Sequence, residues 1–195
     1  MKRVIIVHGW SGHPETGWFP WLKAELKKSS FEVLTPQLPA PETPHITPWV
    51  SKLAETVGAA DKNTYLVGHS MGCQTIARYL EALPEGIQVG GAVFVAGFFK
   101  RLTKIQEEGE ETVAIAHEWL ETPLDLQKVK SHLPKSIAIF SDNDYYVPLD
   151  NTGEFRDKLG SEIIVEKGKG HFSGKRDRML ELPVALKSVL KLSKR

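Results

Sequence analysis

Residues 66–74 read LVGHSMGCQ, and their reading decides the fold. The stretch opens as the end of an apolar run, "TYLV" (64–67), and closes inside a segment with apolar residues three or four apart, "MGCQTIARYLEAL" (71–83). That is the change from a buried strand to an amphipathic helix. At the junction, Ser70 stands between Gly68 and Gly72, with His69 beside it. Glycine weakens strands and helices alike, so two of them here mark a place where the backbone needs room. G-x-S-x-G between strand and helix has the form of a nucleophile elbow. Its turn is sharp enough that a Cβ two residues before or after the serine would strike neighbouring backbone. The serine takes a strained conformation that lifts Oγ above the sheet. The pattern alone arises by chance in roughly one chain of this length in twenty. Its position between strand and helix sets it apart from an ordinary glycine-rich loop.

Short β-branched runs alternate with helical periods along the whole chain, the pattern of a parallel sheet covered by helices on both faces. Strands are expected at 3–7, 31–35, 64–68, 91–97, 136–141 and 162–166, and helices at 18–28, 47–58, 71–83, 149–159 and 182–192. The interval between Gly97 and Ser136 exceeds one crossover helix and has room for two, at 110–120 and 123–133. The expectation is one α/β domain over residues 1–195, doubly wound, with a modest insertion and a minimal lid.

A serine hydroxyl needs a base, and the base needs an orienting carboxylate. In hydrolases with this elbow the chain order is Ser, then Asp or Glu, then His. His171, in "KGKGHFSG" after the last strand, fits the base, on a loop whose glycines suggest mobility. "SDNDYYVP" after the fifth strand offers Asp142 and Asp144, with Asp150 farther on. Asp144 is favoured over Asp142, and Asp150 suits a helix cap. The oxyanion of an acyl-transfer intermediate needs two N–H donors. The amides of Met71, after the serine, and Trp10, in "VHGWSGH" (7–13), are the candidates. Phe98, Phe99 and Trp119 are candidates for a substrate wall, while Trp18, Phe19 and Trp21 read as core. His69 and His8 read as packing or bracing residues, and Cys73 as a small core residue.

Composition narrows the class. Twenty-five basic residues balance 24 acidic ones, leaving no broad field for nucleic acid or an anionic membrane. With Cys73 alone, neither an internal disulfide nor a thiolate metal cluster can form. "MKRVIIVHGW" lacks the apolar length of about 7–15 residues that a signal peptide needs, and a cytoplasmic location is the default expectation. No cluster has metal-ligand spacing and no glycine loop cradles phosphate, so no cofactor is expected.

His-Gly after the first strand, G-H-S-x-G, D-x-x-V-P and G-H-F together resemble the α/β-hydrolase superfamily. The short length, "VHGWSGHPETGWFPWLKAEL" and "TPQLPAPETP" resemble the small serine hydrolases of the retinoblastoma-binding protein nine type. That resemblance implies a six-stranded parallel sheet of order 2-1-3-4-5-6 and a triad falling on Ser70, Asp144 and His171. The chain departs from the subgroup at Asn143-Asp144-Tyr145, where Asp-Asp-Pro is common. It also lacks the L-x-C-x-E motif, so no retinoblastoma-type partner is carried over. The expected function is hydrolysis of a carboxylic ester-like bond in a small acyl substrate. A thioesterase, an amidase or peptidase, a lactonase, and a binding protein that keeps the hydrolase shell are the alternatives.

Overall fold

In the computed structural model, which describes residues 1–194, six strands form one sheet in the order β2-β1-β3-β4-β5-β6. They are β1 (Arg3–Val7), β2 (Glu32–Leu34), β3 (Thr64–His69), β4 (Gly91–Val95), β5 (Ser136–Ser141) and β6 (Glu162–Glu166), and every pairing is parallel. The central strands are apolar on both faces because both faces are covered. Ile5, Val7, Leu66, Phe94, Ala138 and Phe140 turn into one core, whereas Val4, Ile6, Val67, Val93, Ile137 and Ile139 turn into the other. The period-two alternation of strand side chains thus sorts one continuous apolar run into two cores.

Helices α1 (Phe19–Lys28) and α6 (Pro183–Ser193) supply residues to the second core, and both have a proline in the first turn, where its missing N–H is harmless. Helices α2 (Ile46–Val57), α3 (Met71–Glu81) and α5 (Leu126–His132) supply the first. Helix α5 starts where Asp125 accepts from the amides of Gln127 and Lys128, an N-cap that the apolar period did not reveal. The fourth strand stops at Val95 rather than Gly97 because Ala96 turns left-handed, with φ of 48°. The helix expected at 149–159 is instead a 3-10 turn, Leu149–Asn151, and a π-helical turn, Glu154–Leu159. Asn151 is fully buried there. Its Oδ1 accepts from the amides of Phe99 and Lys100, and its Nδ2 donates to the carbonyls of Arg101 and Pro148. Such local side-chain bonding competes with regular helix.

The insertion after β4 holds a 3-10 turn, Ile105–Glu108, and helix α4 (Glu110–Glu121). The C-terminal half of α4 is fastened to the body. Arg78 and Gln74 of α3 donate to its Trp119 carbonyl, and Arg78 donates also to the Thr122 carbonyl. Glu118 accepts from the Ile46 amide and pairs with His45 at 2.7 Å, satisfying an N-terminal donor of α2. No helix among the described residues is long and apolar enough to cross a membrane.

A Cβ on Gly72 would collide with the carbonyl oxygens of Val7 and His8 at the end of β1. Neither is the far end of a side chain that can swing away. Gly72→Ala should therefore lower the free energy of unfolding by about 1–3 kcal/mol in urea titrations. Gly153→Ala, whose Cβ would find nothing closer than Asp157 Oδ2 at 3.7 Å, should change it by less than about 0.5 kcal/mol.

Candidate active site

The chain leaves β3 and enters α3 through Ser70, whose φ of 52° and ψ of −120° are rare for a residue with a side chain. The Ser70 amide donates to the Val95 carbonyl at 2.8 Å, and its carbonyl accepts from Cys73. A Cβ on Gly68 would lie 2.9 Å from the Cys73 nitrogen, which is the crowding expected of an elbow. Ser11, Ala96 and Phe172 are also left-handed, and they follow β1, β4 and β6. Four of the eight non-glycine residues with positive φ among the described residues thus lie beyond the C-terminal ends of strands, where open parallel sheets form their sites.

Asp144 and His171 meet at that end. Imidazole Nδ1 lies 2.9 and 3.0 Å from the two carboxylate oxygens, and the carboxylate side chain is only 2% exposed. Asp144 Oδ1 also accepts from the amides of Tyr146 and Val147. These bonds hold the carboxylate and fix the tautomer with hydrogen on Nδ1. His171 Nε2 has no hydrogen bond among the described residues, and His171 and Ser70 line one cavity of about 450 Å³. Asp142 is elsewhere, accepting from the Gly168 amide at 2.8 Å. Asp150 faces solvent and pairs with Arg101 at 2.8 Å.

The loop carrying His171 is tied down residue by residue, against the expectation of a mobile one. The amides of Gly168, Lys169 and Gly170 donate to Asp142 Oδ1, Ser141 Oγ and Asn143 Oδ1. The carbonyls of His171 and Phe172 accept from His69 Nε2 and Trp18 Nε1. Asn143, the point of departure from the subgroup pattern, is therefore one of these anchors.

Trp10 and Met71 line the same cavity. Met71 opens α3, so its N–H belongs to the unsatisfied donors of a helix N-terminus. The Trp10 loop is braced by His8, a buried ring that donates from Nδ1 to the Gly9 carbonyl and accepts at Nε2 from the Leu38 amide. Burial lowers the His8 pKa and keeps it neutral. Gly9 packs against the elbow, since a Cβ there would sit 3.0 Å from Ser70 Cβ.

Of the expected wall residues, Phe98 lines the cavity. Trp119 does not: it is fully buried, its indole donating to the Pro44 carbonyl and its ring set edge-on to Trp49. Phe99 is also misplaced, for it turns from the cavity and stacks on Phe155 with ring centroids 4.5 Å apart. The apolar wall is completed by Leu102, Ile105 and Ile115 from the insertion. Tyr145 and Tyr146, directly after Asp144, also line it. They donate to Asp177 and Glu108, and burial first, then those carboxylates, push both phenols up so that they remain donors. Two tyrosines adjoining the acid were a visible signal. The isoleucines of the insertion carried none, because nothing in their spacing tells which face of α4 meets the elbow.

A strand-ending elbow serine beside an Asp–His pair, on a sheet of this order, is the arrangement of an α/β-hydrolase. The chain belongs to the serine hydrolase family, whose profile matches residues 4–179. It is 30% identical over 171 residues to the YdeN protein of Bacillus subtilis (strain 168), covering 88% of this chain and 86% of that one. The crystal structure of the ydeN gene product superposes with a TM-score of 0.88 at 28% identity, covering 98% of each chain. Serine hydrolase RBBP9 of Rattus norvegicus is 27% identical over 173 residues, covering 88% and 87%. A carboxylesterase structure from Nitrososphaera gargenis shares the fold, with a TM-score of 0.72 at 15% identity over 98% of this chain and 91% of that one.

His69 is held neutral in the fold, burial lowering its pKa from 6.5 to about 3. Once unfolded it takes a proton below about pH 6.5, so acid favours the unfolded chain. The stability it contributes is present above that pH and is lost as pH falls toward 3, by up to about 1.4 kcal/mol per unit. Urea titrations between pH 7 and 5 should show a shallower fall in unfolding free energy for His69→Gln than for the wild type.

Proposed function

We propose that the chain is a carboxylesterase that works through an acyl-enzyme on Ser70, His171 and Asp144, without a cofactor. The observation that carries this reading is the shared cavity: a strained elbow serine and an imidazole already oriented by a buried carboxylate line the same space. Ser70 Oγ attacks the ester carbonyl while His171 Nε2 accepts its proton. Asp144 stabilises the imidazolium and, held by two backbone amides, keeps the ring oriented. The amides of Trp10 and Met71 receive the oxyanion, the second aided by the positive end of α3. His171 then protonates the leaving alcohol. Water then attacks the acyl carbonyl and loses a proton to the same nitrogen; the bond to Ser70 Oγ breaks, that proton returns to Oγ, and the acid leaves.

The cavity also favours one kind of substrate. Phe98, Leu102, Ile105 and Ile115 give it an apolar part suited to a hydrocarbon acyl group, and exposed Glu42, Glu108, Glu111, Lys175 and Arg176 give it a polar part of mixed charge. A carboxylesterase among the structures that share the fold supports esters as the first substrates to test.

A panel of p-nitrophenyl esters, a matching thioester and a matching anilide tests it, together with fluorophosphonate labelling followed by intact mass. The wild type should carry one adduct and hydrolyse the esters fastest. Ser70→Ala should lose both properties, and Asp144→Asn should lower kcat by about 10⁴. Asp142→Asn should act far more weakly. A folded wild type that neither labels nor turns over any member of the panel would sink the proposal.

A further inference from the structure

We propose that His69 is a positioning residue that sets the base against the nucleophile, by donating its Nε2–H to the main-chain carbonyl of His171. The role rests on the hydrolase reading above, but its geometry stands apart from it. Nε2 lies 2.8 Å from the His171 oxygen. A carbonyl can only accept, so the hydrogen is on Nε2 and the tautomer is fixed. The ring cannot swing from this position easily, because it is set edge-on to Trp18 and Phe19, with centroids 5.9 and 6.1 Å away, and lies 5.1 Å from the His171 ring.

The bond joins two residues that are far apart in sequence and adjacent in chemistry. His69 is the residue before Ser70 and the last of β3, registered against Val95 of β4. His171 is thereby gripped at both ends, its side chain by Asp144 and its carbonyl by the residue that precedes the serine. Asp144 sets the direction of the imidazole but has no direct hold on the elbow. His69 supplies that hold, and it makes the separation of Ser70 and His171 a local quantity instead of the sum of two loops. The adjoining Phe172, left-handed at φ of 55°, has its carbonyl taken by Trp18. Loss of the His69 bond therefore falls on one defined point, the carbonyl of the base itself. A misplacement of about 1 Å between reacting groups lowers rates by about a hundredfold.

Phe in place of His69 keeps an aromatic ring and removes the donor, whereas Gln restores an N–H donor at a similar reach. H69F should lower kcat for p-nitrophenyl esters by about 10- to 100-fold with KM changed less than about twofold, and H69Q should recover most of the loss. Hydrogen exchange read by NMR gives a measure that needs no turnover: amides of residues 169–173 should exchange about tenfold faster in H69F, as loss of one hydrogen bond implies, and near the wild-type rate in H69Q. If H69F keeps wild-type kcat and exchange, or if H69F and H69Q lose activity and thermal stability equally, the ring only packs and the proposal is overturned. A wild type that labels with no fluorophosphonate, with the loop still loosened in H69F alone, would remove the esterase reading and leave the positioning role standing.

Discussion

The first turn of α3 lies against the end of β1 with no side chain between them, and the site depends on that contact. Gly72 makes it possible, facing the carbonyls of Val7 and His8 where a Cβ cannot fit. Gly9 continues the approach from the other side, reaching the backbone of His69 and the Cβ of Ser70. Trp10 and Met71 line the same cavity because two glycine-bearing segments touch. The geometry is a property of the packed backbone, so it costs no reorganisation when a substrate enters. Strain at Ser70 is sustained by the same contact, since the helix cannot retreat from β1 without uncovering the first core.

The histidine loop solves a different problem. It has two glycines before the base, both left-handed, at 168 and 170, and such a segment has much conformational entropy to lose on folding. The fold offsets that loss with side chains instead of secondary structure. Ser141, Asp142 and Asn143 hold three successive amides from the acid's own turn, and His69 and Trp18 hold the next two carbonyls. The segment that carries Asp144 thereby holds His171 twice, through the imidazole and through the main chain beneath it. Asp142, an alternative acid by sequence, is explained by the second task.

This division also shows what was legible in the residues. The strands and the sheet's doubly covered character followed from apolar runs broken at helical periods, and the resemblance to small serine hydrolases placed the strand order. Ser70, Asp144 and His171 could be singled out as candidates because each carries its own local signature at the end of a strand, and the structure sets Asp144 against His171 and places His171 and Ser70 on one cavity. The wall could not be placed in this way. Trp119 and Ile115 both lie on α4 and both are buried, yet one faces Trp49 and the other the cavity. Helical periodicity identifies a buried stripe; it does not say which of two neighbours the stripe meets. The anchors of the histidine loop were hidden for a related reason. Serines, asparagines and aspartates beside a glycine loop have the same composition whether they face water or one another.

The insertion joins these constraints to the wall of the cavity. Its distal half is built into the body: Arg78 and Gln74, on the helix that starts at the nucleophile, hold the carbonyl end of α4, and Glu118 and Trp119 fasten it to the segment at Pro44–Ile46. Its proximal half supplies Ile105 and Ile115 to the cavity and is held at the rim by the bond between Glu108 and Tyr146. Arg78 is buried with its pKa lowered by desolvation, and its two terminal nitrogens donate to carbonyls instead of a carboxylate while its Nε has no partner among the described residues. Buried charge is an expensive tie, and its place on the elbow helix gives a reason for it. The apolar wall of the cavity is then indexed to the same helix that carries the elbow, so changes of side chain at 102, 105 and 115 can alter the pocket without disturbing Ser70, Asp144 or His171.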